Sequence, residues 1–376
     1  MIDAPATSAS TRRAVGAALS GIGLIVVALT FDSALLFVPG AAFALLGLGA
    51  WAWVRLLAAT ATVDRVLHTE RVVEADPFEA TLEVRGGPLG VAGIEVLDPL
   101  AGRPLLFHGR ARSATVRVVA RFDRRGLRIV PPPALLIRDP LMLALRHGRT
   151  LSGDQQVLVL PRVERVRWLG GDGGSRLSAV AARSRAMLTA AVEIDGLRPY
   201  RPGTPASRIY WPALARGAGL LERRLRGDDD IRPFVILDLR GAGTTEHADA
   251  AVRAAASLTF QLARTSGCLL LEPGERRATA LEPDLVGWPA VHARLALLES
   301  GPASPAPMLS AARSRIGPVM YVAAAPLERP PAALGLHSVV LVVPAGTGPQ
   351  RVRPAFEVAG CLGYPLLARA RAPEAA

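Results

Sequence analysis

The chain has 376 residues, half of them hydrophobic and 20% charged, which suits one or two folded domains and excludes a wholly disordered chain. Its formal charge is +12, yet all 44 basic residues are arginine. With Ala, Gly and Pro also abundant, this reads as coding bias, so the charge favours anionic partners such as a lipid surface without pointing to nucleic acid. Cys268 and Cys361 are the only cysteines, which makes neither a disulfide framework nor a zinc site.

Residues 14–31 (AVGAALSGIGLIVVALTF) and 34–54 (ALLFVPGAAFALLGLGAWAWV) are uncharged apolar runs. Each approaches or reaches the roughly 20 residues that span a bilayer as a helix. Only Asp32 and Ser33 separate them, so a tight transmembrane hairpin is expected. Arg12 and Arg13 would also suit a signal peptide, but a second apolar run follows at once and no polar cleavage region intervenes. Arg12 and Arg13 precede the first run, Arg55 and Arg65 follow the second, and Asp32 is the only charge in the turn. The positive-inside rule then predicts a multi-pass cell-membrane protein with its N-terminus and soluble domains in the cytoplasm. Trp51 and Trp53 suit the interface, while Pro39, Gly47 and Gly49 are compatible with a membrane helix and with close helix contact.

With the tail and two helices assigned to residues 1–57, residues 58–165 read as a β-rich domain. VDRVLH, FEATLEVRG, GIEVLD, ATVRVVARF, LRIVP and QQVLVLP alternate apolar and polar positions between Gly and Pro breakers, as antiparallel strands of a sandwich or barrel-like module do. Asp98, Asp123 and Asp139 fall in turns and read as turn formers. Residues 166–230 form a connector and a distinctive segment. The connector's GGDGGS lacks the Gly-Lys-Ser/Thr ending of a phosphate loop, and no lysine exists to supply it.

From 231 to 376 the texture changes to buried runs (FVILDL, CLLLE, GPVMYVAAA, HSVVLVVPA) alternating with helical stretches at 246–264 and WPAVHARLALLES. That predicts an α/β domain with a mainly parallel sheet, whose ligand sites lie beyond the strand C-termini. Asp238 ends the first such strand. Its carboxylate could join Thr244 and Thr245 in a magnesium shell, but Arg240 beside it could replace the cation electrostatically.

The segment before this strand carries Arg198, Tyr200, Arg201, Pro202, Gly203, Arg208, Tyr210 and Trp211, and Arg216, Arg223, Arg224 and Arg226 continue its basic character. These arginines either clamp an acidic protein segment or lipid phosphate, or pair with Asp228, Asp229 and Asp230 to order a turn. His247, His292 and His337 are too dispersed for a spacing argument, and H-E-x-x-H, paired-cysteine and G-x-S-x-G motifs are absent from the sequence. No catalytic residue or cofactor is therefore assigned.

The hairpin, the β-rich region, GLRPYRPGTPASRIYWPALARGAGLLERR and FVILDLRG together resemble the domain of unknown function 58 family. The matching features are Arg198, Tyr200, Pro202, Gly203, Arg208, Ile209 and Trp211, and WPAVHARLALLE is similar to a feature of its actinobacterial branch. The resemblance implies a C-terminal domain related to the von Willebrand factor A fold, which often holds a metal through Asp-x-Ser-x-Ser. Asp238 matches the acidic position, but Arg240 and Ala242 replace the two hydroxyls and cannot ligate. The family also implies association with MoxR-type AAA+ ATPases in envelope systems. The chain is thus expected to be a membrane-tethered interaction or assembly factor. The alternative is a component of a membrane proteolysis or envelope-remodelling system.

Overall fold

The computed structural model describes residues 11–109, 111–169, 194–200, 209–217, 219–225, 232–299, 301, 304–312, 318–334 and 339–366. The chain divides into two compact units, Met1–Val159 and Leu160–Ala376.

The first unit opens with helices α1 (Arg12–Thr30) and α2 (Ala34–Thr60), both long and apolar enough to cross a membrane. They meet through small residues: Ala14, Ala18 and Gly21 of α1 and Gly40, Ala44 and Gly47 of α2 are buried. Gly21 and Gly47 permit this approach, because a Cβ on Gly21 would stand 2.3 Å from the Ala44 nitrogen and one on Gly47 2.5 Å from the Ala14 carbonyl oxygen. Gly49, by contrast, faces open space. Leu19, Leu29, Leu35, Val38 and Leu45 point outward, so the helix pair is apolar on its outer surface as well. The second helix does not end at the expected boundary of residue 57. It runs on to Thr60, and its Val54, Leu57 and Ala58 enter the core of the β-rich part.

Eleven strands follow: β1 (Thr62–Leu67), β2 (Arg71–Val73), β3 (Phe78–Arg85), β4 (Ile94–Leu97), β5 (Leu105–Phe107), β6 (Ser113–Ala120), β7 (Gly126–Val130), β8 (Ala134–Arg138), β9 (Leu145–His147), β10 (Arg149–Thr150) and β11 (Gln155–Leu160). They form three sheets, in the orders β10-β1-β3-β6, β2-β11-β7 and β5-β4-β8-β9. Every apolar alternation in the sequence coincides with one of these strands. On β3 the pattern is strict: Phe78, Ala80, Leu82 and Val84 all face inward. Phe78 and Ala80 pack with Val72, Val130, Val157 and Val159, while Leu82 and Val84 join the core around α2.

Arg65 departs from its expected place as a free flanking charge. It alternates inward with Val63 on β1, and its side chain is fully buried. Its Nη1 meets Asp98 Oδ2 at 3.1 Å, its Nε donates to Gln155 Oε1 at 2.7 Å and its Nη2 to the Val130 carbonyl at 2.9 Å. Burial removes its charge from solvent unless it is paired, so the β-module core closes around this ion pair. Asp98 also caps its own turn by accepting from the Leu100 nitrogen, and Asp139 does the same for Leu141 and Ala144. Asp123 is exposed.

The second unit contains β12 (Arg167–Trp168), β13 (Ile194–Pro199), α3 (Trp211–Ala215), β14 (Leu221–Leu225), β15 (Phe234–Asp238), α4 (Thr245–Ser266), β16 (Cys268–Leu271), β17 (Thr279–Leu281), α5 (Trp288–Leu297), β18 (Val319–Ala323), β19 (Val339–Pro344), β20 (Phe356–Val358) and β21 (Cys361–Leu366). One eight-stranded sheet runs β12-β20-β21-β19-β18-β15-β16-β17. Its centre, β19-β18-β15-β16, is parallel, and both margins are antiparallel. The expected parallel sheet is therefore the core of a mixed one. β13 and β14 form a separate antiparallel ribbon.

Helices α4 and α5 cover one face of the large sheet, packing on Val235, Leu237, Leu270 and Val322. Phe234, Ile236, Tyr321 and Leu341 face the other side, where Leu309, Leu327 and Leu334 from short connecting segments pack. The chain leaves β15 for β16 on one side and returns to β18 on the other. The strand order thus reverses between β15 and β18, the position at which open α/β sheets form a ligand crevice.

Candidate functional site at the strand switch

Asp238 stands at that reversal. It is the last residue of β15, opposite Ala323 of β18, and its carbonyl accepts from the Ala324 nitrogen at 2.9 Å. In the pleat it points to the same side as Phe234 and Ile236, the side that carries Tyr321.

Its carboxylate is fully engaged by protein donors. Arg240 donates Nε to Oδ1 at 3.0 Å and Nη2 to Oδ2 at 2.8 Å, and its backbone N–H reaches Oδ1 at 3.1 Å. Tyr321 adds its hydroxyl to Oδ2 at 2.5 Å. Burial opposes ionisation of Asp238, but the Arg240 and Tyr321 hydrogen bonds outweigh it and hold the carboxyl below its usual range. Burial and the adjoining carboxylate push the Tyr321 phenol upward, so it remains a donor. A two-point guanidinium fork therefore occupies the carboxylate that a cation would use.

Thr244 is the N-cap of α4, its hydroxyl accepting from the His247 nitrogen at 3.1 Å, and both Thr244 and Thr245 are exposed. Ala242 contributes only packing against the helix-covered core.

A second carboxylate ends the next strand in the same manner. Glu272 follows β16, is buried, and receives Arg294 of α5 at 2.7 Å through Nη2 and at 3.1 and 3.2 Å through Nε. The run CLLLE carries the same sign as FVILD, an apolar strand ending in an acid, and that was the available signal for this pair. Two adjacent strand ends are thus closed by arginine forks. His292 of α5 is stacked on Trp288, with centroids 4.7 Å apart, and its Nε2 lies 2.7 Å from the Pro161 carbonyl. Burial lowers its pKa despite that carbonyl, which keeps the ring neutral at pH 7. Burial likewise pushes both thiols, Cys268 and Cys361, up to about 12.

The arginine-aromatic segment is a separate feature. Tyr200 follows β13 and its nitrogen donates to the Leu220 carbonyl, while the Tyr210 nitrogen donates to Leu221. Arg198 lies on the ribbon opposite Glu222. Ile209, Ala213 and Glu222 are buried, whereas Trp211 is 55% exposed with Leu214 and Leu220 also exposed. Arg201, Pro202, Gly203, Arg208, Arg226, Asp228, Asp229, Asp230, His337 and the GGDGGS run lie outside the described residues, as do the side chains of Arg198, Arg223 and Arg224. Asp238 and Arg240 bond to each other and to Tyr321, and to no residue of this segment among those described. No protein-family model matches the chain, and no curated protein matches it.

Proposed function

We propose that the chain is a membrane-tethered interaction or assembly factor related to the domain of unknown function 58 family, with a von Willebrand factor A-like second unit whose metal position has been replaced by arginine. The observation that carries this reading is the exposure of Trp211, Leu214 and Leu220 on a segment anchored by buried Ile209, Ala213 and Glu222. An exposed indole on a fixed base is the residue type that dominates protein interfaces. The closed carboxylates at the strand ends favour a binding role over metal-assisted chemistry. The sheet order and the placement of Asp238 support the von Willebrand factor A relation.

In this reading α1 and α2 form a transmembrane hairpin. With Arg65 buried, Arg12, Arg13 and Arg55 are the flanking cations, Asp32 is the charge in the turn, and the soluble part lies in the cytoplasm. A MoxR-type AAA+ ATPase is the partner the family resemblance implies, and the cytoplasm supplies its ATP. The test is co-purification with that ATPase in mild detergent, comparing wild type with Trp211→Ala and with Leu297→Ala, an exposed apolar residue on α5. Loss with W211A alone supports the reading. Equal recovery from W211A, or no ATPase with the wild type, overturns it.

A further inference from the structure

The first unit holds a cavity of about 360 Å³ whose lining includes Trp53, Gly93, Leu106, His108, Arg138 and Met142. It lies against α2, nineteen residues along from Ala34, which at about 1.5 Å per residue is roughly 29 Å. The hydrocarbon core of a bilayer is about 30 Å thick, so a helix that enters at Ala34 brings Trp53 to the ester and phosphate layer on the far side. Arg55 stacks over Trp51 at 5.1 Å in the same turn, a pairing suited to that layer.

Besides the His108 imidazole, which can donate or accept, the polar side chains left open in this cavity are donors. The buried Trp53 Nε1–H has no hydrogen-bond partner in the protein, and Trp53 lines the cavity, which makes this N–H a donor for a molecule seated there. Arg138 spends its Nε on Glu95 at 2.8 Å and leaves the rest of a guanidinium that is 40% exposed. The two carboxylates in the wall are already engaged: Glu95 by Arg138, and Asp139 by the Leu141 and Ala144 nitrogens. The lining also carries apolar side chains, with Leu106 and Met142 both more than half exposed on the β-module, where water gives them no partner.

We propose that this cavity seats one phospholipid, its phosphate on Arg138, an ester oxygen on the Trp53 N–H and the start of an acyl chain along Leu106 and Met142. The proposal rests on the hairpin reading above. It makes the β-module a part that grips the bilayer surface rather than one that hangs below it. A second cavity, walled by Arg85, Arg112 and Ser113, adjoins Gly87, which packs on Thr60. That is about 10 Å further along α2 than Trp53, beyond the ester layer.

The test is native mass spectrometry of the full chain in detergent, titrated with phosphatidylethanolamine, phosphatidylglycerol or diacylglycerol, which lacks phosphate. The wild type is expected to retain one phospholipid of either headgroup and to lose it to neither detergent nor diacylglycerol. Trp53→Phe removes the donor, and Met142→Asp places a carboxylate on the exposed lining without touching the core. Each is expected to weaken retention about tenfold, while Arg112→Gln leaves it unchanged. Equal retention by W53F and M142D, an equal loss in R112Q, or equal binding of diacylglycerol overturns the proposal. Release of the protein from native membranes by alkaline carbonate would instead refute the hairpin, and is read separately.

Discussion

Arg240 grips Asp238 at two points, Nε on one carboxylate oxygen and Nη2 on the other, at the place where the strand order of the large sheet reverses. A cation approaching this strand end would have to displace a guanidinium that carries its own charge and fits the carboxylate geometrically. The wild-type unfolding midpoint is therefore expected to be insensitive to millimolar MgCl₂ or MnCl₂. Arg240→Ser with Ala242→Ser removes the guanidinium and introduces two hydroxyls in the loop after Asp238, and this double variant is expected to gain a cation-dependent rise in midpoint through binding to the folded state. Thermal unfolding with and without metal, with chelator as control, decides it. A metal-dependent rise in the wild type would show that the fork opens.

The same carboxylate and the buried histidine set the response to acid. Asp238 has a depressed folded pKa, so its contribution is complete above the usual carboxylate value near 3.8 and is lost as pH falls below it. His292 is also depressed, by burial, so its neutral form stabilises the fold above its ordinary value of 6.5 and this is lost as pH falls below 6.5. The two windows are separate. His292→Phe keeps a ring against Trp288 and removes the titration, so its unfolding midpoint should fall less between pH 7 and pH 5 than that of the wild type. Asp238→Asn should flatten the fall near pH 4 instead, with a cost at pH 7 of roughly 1–2 kcal/mol, at the low end for charged hydrogen bonds because Arg240 is half exposed. Parallel curves for H292F and wild type would show that His292 does not control the upper window.

Arg65 and Asp98, 33 positions apart, make a buried ion pair that neither residue can leave alone. Arg65→Met leaves the buried Asp98 carboxyl without its partner and is expected to cost about 3–5 kcal/mol. Asp98→Asn keeps the turn bond to Leu100 in part but strands the guanidinium, and should cost nearly as much. The double change R65M/D98N removes both charges and should recover much of the loss, so its cost falls well below the sum of the two singles. Denaturant unfolding of the four proteins closes the cycle. Additive losses would mean that the two side chains act independently.

What the sequence disclosed and what it withheld follow from the range of the interactions. The alternation on FEATLEVR and the apolar runs FVILD and CLLL are local patterns, and they correspond to β3, β15 and β16. The address of Asp238 was equally local, since a strand that ends on an acid is visible without neighbours. Tyr321 was not, because it lies 83 positions away and inside GPVMYVAAA it looks like one more packing residue. Arg65 shows why parity alone misleads: in TVDRVL, Val63 and Val66 fall on opposite faces, so the pattern does not say which face is buried. The ribbon strand LERRL was obscured by its arginines, which break the apolar alternation that marks other strands.

The helix pair offers the sharpest contrast between two neighbouring glycines. A side chain at position 47 would place its Cβ 2.5 Å from the Ala14 carbonyl oxygen and 2.5 Å from the Ala18 nitrogen, which are backbone atoms that cannot rotate away. At position 49 a Cβ meets nothing within 4 Å. Both changes raise apolarity, both sit in α2, and both improve helix propensity relative to glycine, so these effects cancel in a comparison. Gly47→Leu is expected to separate α1 from α2, because van der Waals packing of small residues holds such pairs together when apolar surroundings remove the hydrophobic drive. Gly49→Leu is expected to leave the pair intact. Cysteine cross-linking between positions 18 and 44, in a background with Cys268 and Cys361 replaced by serine, reads the separation directly. Wild type and G49L should cross-link alike and G47L should lose the product, whereas equal yields from all three would mean that the helices do not depend on this close approach.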